Sequence, residues 1–191
     1  MSNPSIEHWI GNKRVFRYLK GTSNYGLIFN GGDNDVLHGY TDSDWAGDLE
    51  TRRSTSGYVF KWGASTISWA SRRQATVAKS TCEAEYVAMS MATQEAVWLR
   101  RLFADISYNV KDAVDIYADN QGAIDLSRNP KHHHRTKHID IHFHFTREKV
   151  ISKEIFVRYV PSSDNIADIM TKGTSKVLFE KFRKLMGVDI C

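Results

Sequence analysis

Ser80-Thr81-Cys82-Glu83-Ala84-Glu85-Tyr86 opens the longest helical pattern in the chain, and one of its carboxylates stands where a carboxylate is costly. From Glu85, steps of four and three reach Met89, Ala92, Ala96, Leu99, Phe103 and Ile106. A helix turns by about 100° per residue, so these positions form one stripe, apolar except at its first member. An ionised side chain at the head of a core-facing stripe costs on the order of several kcal/mol unless a partner stabilises it. Further carboxylates nearby would worsen that cost unless a divalent cation lies among them. The pattern predicts a helix from about Ser80 to Ile106, with Ser80 or Thr81 as N-cap and Glu83 in reach of a capping box.

Working outward, residues 5–20 read as a basic amphipathic helix carrying Trp9, Ile10, Val15, Phe16 and Leu19, stopped at Gly21. Strand candidates follow at 26–30 and 36–42, joined by a hairpin-type turn at Gly31-Gly32-Asp33-Asn34. Two more, 57–62 and 66–70, flank Gly63-Ala64 and are rich in β-branched and aromatic residues, with Trp62 and Trp69 read as core. Beyond the long helix, Ala113 to Ala118 is a buried-strand signal ending at Asp119, and 120–127 is a short helix stopped by Asn129-Pro130. A His-rich basic run, Lys131 to Lys137, enters a helix through about Ile151, and 155–160 is the last strand. After the turn Pro161-Ser162-Ser163, one helix runs to Lys172, and another covers about 175–186. Strands joined by tight turns pair antiparallel, and strands separated by helices pair parallel. The expected fold is α/β: a mixed five-stranded sheet, three antiparallel strands then two parallel, with helices on both faces.

The chain has 191 residues, 41% hydrophobic and 12% aromatic, enough for one cored domain or one domain with a short appendage. A net charge of +4 permits nucleic-acid binding without requiring it. Cys82 and Cys191 are the two cysteines, which excludes a disulfide framework and suits a reducing intracellular setting. No run approaches the ~18–20 apolar residues that cross a bilayer, and the polar start Met1-Ser2-Asn3-Pro4 does not read as a signal peptide. A soluble protein without a membrane partner is expected.

Three further acids sit at suggestive places. Strand alternation puts Val36, His38, Tyr40, Asp42 and Asp44 on one face. Asp119 follows a parallel strand at its carboxyl end, where ligands bind in open α/β sheets. Asp168 falls one turn into a helix beginning at Asp164, among apolar neighbours. Blander readings exist: Asp119 as a helix N-cap, Asp168 as a first-turn dipole partner, Asp42 as an exposed strand residue. Glu85 is the hardest to explain in such terms. If the four converge, they make an oxygen-only site suited to Mg²⁺. Two such ions, roughly 3.5–4 Å apart, can activate water and stabilise the leaving oxygen of a phosphodiester.

Four ordered motifs resemble the ribonuclease H domain of copia-type LTR retrotransposon Pol polyproteins. They are Tyr40-Thr41-Asp42-Ser43-Asp44-Trp45-Ala46-Gly47, Ser80 to Tyr86, Tyr117-Ala118-Asp119-Asn120-Gln121 and Asp164-Asn165-Ile166-Ala167-Asp168. Arg135 to Asp140, Arg147-Glu148 and Lys13 to Thr22 look like the same family. The resemblance implies an endonuclease that cuts the RNA strand of RNA–DNA hybrids, with Asp42, Glu85, Asp119 and Asp168 as ligands of two Mg²⁺ ions, or Mn²⁺. Asp44 and Glu83 stand close by, and Glu83 lies off the stripe. The resemblance also implies that residues 1–24 are the helical end of a reverse-transcriptase region and 25–191 the ribonuclease H-like domain. Its partners would be the hybrid and the parent polymerase, and its setting the cytoplasm, inside the retrotransposon's virus-like particle. The polymerase's own Tyr-x-Asp-Asp is absent. One departure is the loop Val160-Pro161-Ser162-Ser163, which lacks the His that many cellular ribonucleases H carry before the last Asp.

Basic and polar residues expected to contact nucleic acid are Arg72, Arg73, Lys79, Asn120, Gln121, Lys131, Arg135, Lys137 and His138. His134, His138 and His142 recur every four residues, a spacing that also suits zinc, although a substrate-facing basic segment is the preferred reading. Two other classes remain open at this point. One is a nucleic-acid-binding tether of the same fold that does not cut, and the other is an integrase or transposase with acids on a similar sheet.

Overall fold

The computed structural model describes residues 4–32, 35–108, 110, 112–128 and 137–191, the last of these without the side chains of 137–143. The long pattern forms α2 (Thr81–Asp105), following α1 (Ile6–Gly21) and strands β1 (Tyr25–Leu27), β2 (Leu37–Ser43), β3 (Thr55–Trp62) and β4 (Ser65–Arg73). Then come β5 (Val114–Ala118), α3 (Gln121–Arg128), α4 (Lys137–Ile151), β6 (Ile155–Tyr159), α5 (Asp168–Thr171), α6 (Lys176–Leu185) and β7 (Val188–Ile190).

The main sheet has the order β4-β3-β2-β5-β6, antiparallel across β4, β3 and β2 and parallel across β2, β5 and β6, as expected. The β3–β4 turn needs the left-handed backbone that Gly63 supplies at φ +56°. On one face, Tyr86, Met89, Ala92, Ala96 and Leu99 of α2 pack onto Leu37, Phe60, Val114, Ile116 and Ile155. Each fully buried Val, Leu, Ile, Phe or Met side chain here contributes about 1.5–3 kcal/mol, so this layer carries much of the fold. On the other face, Ile166, Phe182 and Met186 pack against Val59 and Tyr40. The Glu85 stripe is therefore core-facing through Leu99, and its last member, Ile106, has reached solvent.

Three expectations are corrected. Residues 26–30 do not form a hairpin with 36–42: β1 pairs antiparallel with β7 at the chain's end, Tyr25 opposite Ile190. The reason is that β3 and β5 already occupy both edges of β2, leaving no edge for β1. The turn expected at Gly31 to Asn34 lies partly outside the described residues. The helix expected from Asp164 to Lys172 is broken into a single 3₁₀ turn (Ser162–Asp164) and the one-turn α5. Asn165 breaks it. Its fully buried side chain donates from Nδ2 to the Thr41 carbonyl (2.9 Å) and accepts the Ala167 N–H (3.2 Å). Asp168 is consequently the first residue of its helix. Trp62 packs on Phe103 and Tyr108 as expected of core, whereas Trp69 is half exposed on the edge strand β4.

Candidate active site

Near the carboxyl end of β2, Asp42 is only 1% exposed and stands opposite Gly57 of β3. A Cβ at Gly57 would come within 2.7 Å of the Met170 Cβ and 2.8 Å of the Thr171 Cγ2. Glycine there lets α5 settle onto the sheet. That approach brings the Thr171 hydroxyl into a hydrogen bond with Asp42 Oδ2 and the Lys172 ammonium to 3.7 Å from the same oxygen. Glu85 reaches toward Asp42 from the second turn of α2. Its Oε1 accepts the Ser43 N–H at 3.4 Å, and its Oε2 is buried with no hydrogen-bond partner among the described residues.

Asp119 follows β5 immediately, and its Oδ2 accepts from the Ser162 hydroxyl at 2.6 Å. It is not a helix cap, because Asn120 takes that role by accepting the Ala123 N–H (3.0 Å). One carboxylate oxygen from each of Asp42, Glu85 and Asp119 lies within 4.8 Å of the others. Asp168 joins this triad through a cation: Lys172 Nζ is 3.0 Å from its Oδ2, while Oδ1 is buried with no hydrogen-bond partner among the described residues. The four sequence-derived acids thus gather at one corner of the sheet, three directly and the fourth through Lys172.

Crowding is written into the proton affinities of Asp42 and Glu85. Burial first, then the charges of Asp168 and Asp119, push the Asp42 carboxyl up to about 7, although Thr171 and Lys172 pull the other way. Burial, followed by Asp42 and Asp119, pushes Glu85 up to about 9. Lys172 is raised: burial alone would lower it, and Asp42 and Asp168 outweigh that. Two buried carboxylates that resist ionisation, with buried oxygens on Glu85 and Asp168 that have no hydrogen-bond partner among the described residues, match the donor set of a hard divalent cation. The residues present fit the metal that the sequence implies.

Asp44 and Glu83 have structural work instead. Asp44 Oδ1 accepts the Thr55 N–H, and Glu83 Oε2 accepts the Lys79 N–H at 3.0 Å, while its own N–H caps onto Ser80 Oγ at 3.1 Å. Among the expected nucleic-acid contacts, Arg72 and Arg73 end β4 in solvent, Arg73 paired with Asp48. Lys79 is exposed beside the start of α2, and Gln121 is exposed at the start of α3. Asn120 spends its carbonyl oxygen on the cap. Lys131 and Arg135 lie outside the described residues, as do the side chains of Lys137 and His138, and with them the His134-His138-His142 spacing. Sequence reading missed Gly57, Ser162, Asn165, Thr171 and Lys172. For Lys172 a signal existed: it sits four residues after Asp168, a spacing that opposes charges on a helix.

A mixed sheet in this order, with a long helix across it and acids at one corner, defines a ribonuclease H-like fold. Solved structures agree: a ribonuclease H1 isolated from compost, LC11, superposes with a TM-score of 0.53 at 17% identity, over 72% of this chain and 94% of that one. The same LC11 protein in complex with RNA/DNA hybrid gives a TM-score of 0.52, over 71% and 93%. The chain's homologues are retrovirus-related Pol polyproteins of plant transposons. It is 42% identical to that of transposon TNT 1-94 from Nicotiana tabacum over 188 residues, 98% of this chain and 14% of the polyprotein. It is 39% identical to that of transposon RE2 from Arabidopsis thaliana over the same share of this chain and 13% of the polyprotein. The chain therefore spans only 13–14% of these polyproteins. No family model matches it.

Proposed function

We propose that this chain hydrolyses the RNA strand of RNA–DNA hybrids during reverse transcription, with Asp42, Glu85, Asp119 and Asp168 holding two Mg²⁺ ions. Mn²⁺ is an alternative with the same ligands. The observation that carries the reading is the pair of buried carboxylate oxygens, on Glu85 and Asp168, that have no hydrogen-bond partner among the described residues, at a corner that also holds Asp42 and Asp119. Divalent cations bound there would supply an activated water and charge stabilisation at a phosphodiester.

The chain's own contribution is positioning. Ser43 N–H holds one oxygen of Glu85, Thr171 holds one of Asp42, and Ser162 holds one of Asp119. Ser162 stands in the loop that lacks the expected His, so that loop touches Asp119 by a hydroxyl that does not change charge near neutral pH. Exposed Arg72, Lys79 and Gln121 offer donors for a nucleic-acid backbone, with Asn120, Lys131, Arg135, Lys137 and His138 proposed alongside. A hybrid would be read by shape and 2′-hydroxyl contacts, giving weak base preference.

Residues 1–24 are proposed as the end of a preceding reverse-transcriptase region, whose polymerase would be the domain's partner. In support, α1 buries none of its side chains, and Trp9, Phe16 and Leu19 are exposed apolar surface. The proposed setting is the cytoplasmic particle in which reverse transcription occurs. Asp119→Asn tests the assignment: the fold should persist by circular dichroism while Mg²⁺-dependent cleavage of a hybrid disappears. Substantial residual cleavage would refute it.

A further inference from the structure

Lys172 is the one basic side chain among the described residues that forms ion pairs within the acidic corner, and it touches only one edge of it. Its Nζ bridges Asp168 Oδ2 at 3.0 Å and Asp42 Oδ2 at 3.7 Å. No ion pair to Glu85 or Asp119 occurs among the described residues. Both partners of Lys172 are buried, yet its own side chain is 46% exposed, so the ammonium enters from solvent on a stem that can withdraw. The backbone at Lys172 is extended (φ −145°, ψ 155°), as the cap that ends α5, and does not lock that stem into a helical turn. A lysine ammonium is a compact charge on a four-carbon tether, which suits a displaceable counter-ion.

We propose that Lys172 is a tethered cation filling the Asp42–Asp168 edge of the metal-free site, which a divalent ion displaces before it can use Asp168. This rests on the metal reading above and refines it. The corner is then asymmetric. A first ion enters the Asp42–Glu85–Asp119 triad, where no described residue makes a competing ion pair to Glu85 or Asp119. A second ion must expel Lys172 from Asp168. Expulsion leaves the ammonium tethered beside the site, so its charge stays near the cluster.

The test is isothermal titration of Mn²⁺ into the full chain without nucleic acid, comparing wild type, Lys172→Met and the double variant Asp168→Asn/Lys172→Met. Wild type should take up one Mn²⁺ with a far weaker second. Lys172→Met should bind the second ion by roughly ten-fold or more tighter, because an opposing charge at contact distance has gone. The double variant should lose that gain. Equal second-ion affinity in wild type and a folded Lys172→Met would overturn the role of Lys172 and leave the metal reading intact. No uptake by any of the proteins would overturn the metal reading itself. Should Lys172→Met fail to fold, wild-type ¹H–¹⁵N spectra of the lysine ammonium groups decide. A protected Lys172 signal in chelator that is lost at high Mg²⁺ supports the displacement, and a signal indifferent to Mg²⁺ refutes it.

Discussion

Replacing Glu85 by Gln tests the electrostatics of the corner without any assay of turnover. In the metal-free fold the Glu85 carboxyl is raised from 4.5 to about 9, by burial first and then by Asp42 and Asp119. Its folded value lies above its unfolded one, so between the two the native protein keeps a proton that the unfolded chain has released. Stability is therefore intact below about 4.5 and falls as pH rises toward 9, at about 1.4 kcal/mol per pH unit. At pH 7, some two and a half units above the lower value, the burden is on the order of 3 kcal/mol. Gln is neutral, has nearly the same shape, and keeps an oxygen for the Ser43 N–H. In chelator, Glu85→Gln should match wild type near pH 4.5 and exceed it at pH 7. For a chain of this size the gain corresponds to roughly 6–12 °C in Tm. Saturating Mg²⁺ should reverse the order, because the wild-type carboxylate is then a ligand and the amide is a poor one. Thermal melts at four pH values, with EDTA and with Mg²⁺, provide the readout. A Glu85→Gln protein that is less stable than wild type in EDTA at pH 7, or one with an unchanged Mg²⁺ response, would refute this reasoning.

Two other substitutions probe how the corner is held. Gly57→Ala should lift α5 from the sheet, costing about 1–3 kcal/mol by overpacking and weakening Mg²⁺ stabilisation, both read by melts with and without the ion. Asn165→Leu should leave the Thr41 carbonyl without its buried donor, costing about 1–3 kcal/mol, and should loosen Asp168 so that Mn²⁺ uptake falls.

Legibility in the sequence followed the range of the interactions. The α2 stripe and the strand pattern are local periodicities, and from them a mixed five-stranded sheet followed, three strands antiparallel and two parallel. The burial of Glu85 at 7% exposure was legible for the same reason. Pairing of β1 with β7 was not, because three-residue strands carry no periodicity and their partners lie at opposite ends of the chain. The break at Asn165 was also hidden. A sequence running Asp-Asn-Ile-Ala-Asp continues well as a helix until the Thr41 carbonyl competes for the amide side chain. The four acids were legible individually, and the motifs joined them. Thr171 on Asp42, Ser162 on Asp119 and the reach of Lys172 to Asp42 arise from contacts across long stretches of chain, which no spacing rule anticipates.

The most direct trial of the central claim is cleavage by the isolated chain of a labelled RNA–DNA hybrid, beside single-stranded RNA and duplex DNA, across a Mg²⁺ titration. The proposed chemistry predicts Mg²⁺-dependent scission of the hybrid's RNA strand alone, leaving 5′-phosphate ends and no joined DNA. Hybrid bound tightly but left uncut at every Mg²⁺ and Mn²⁺ concentration, by a folded protein that takes up the ions, would contradict it.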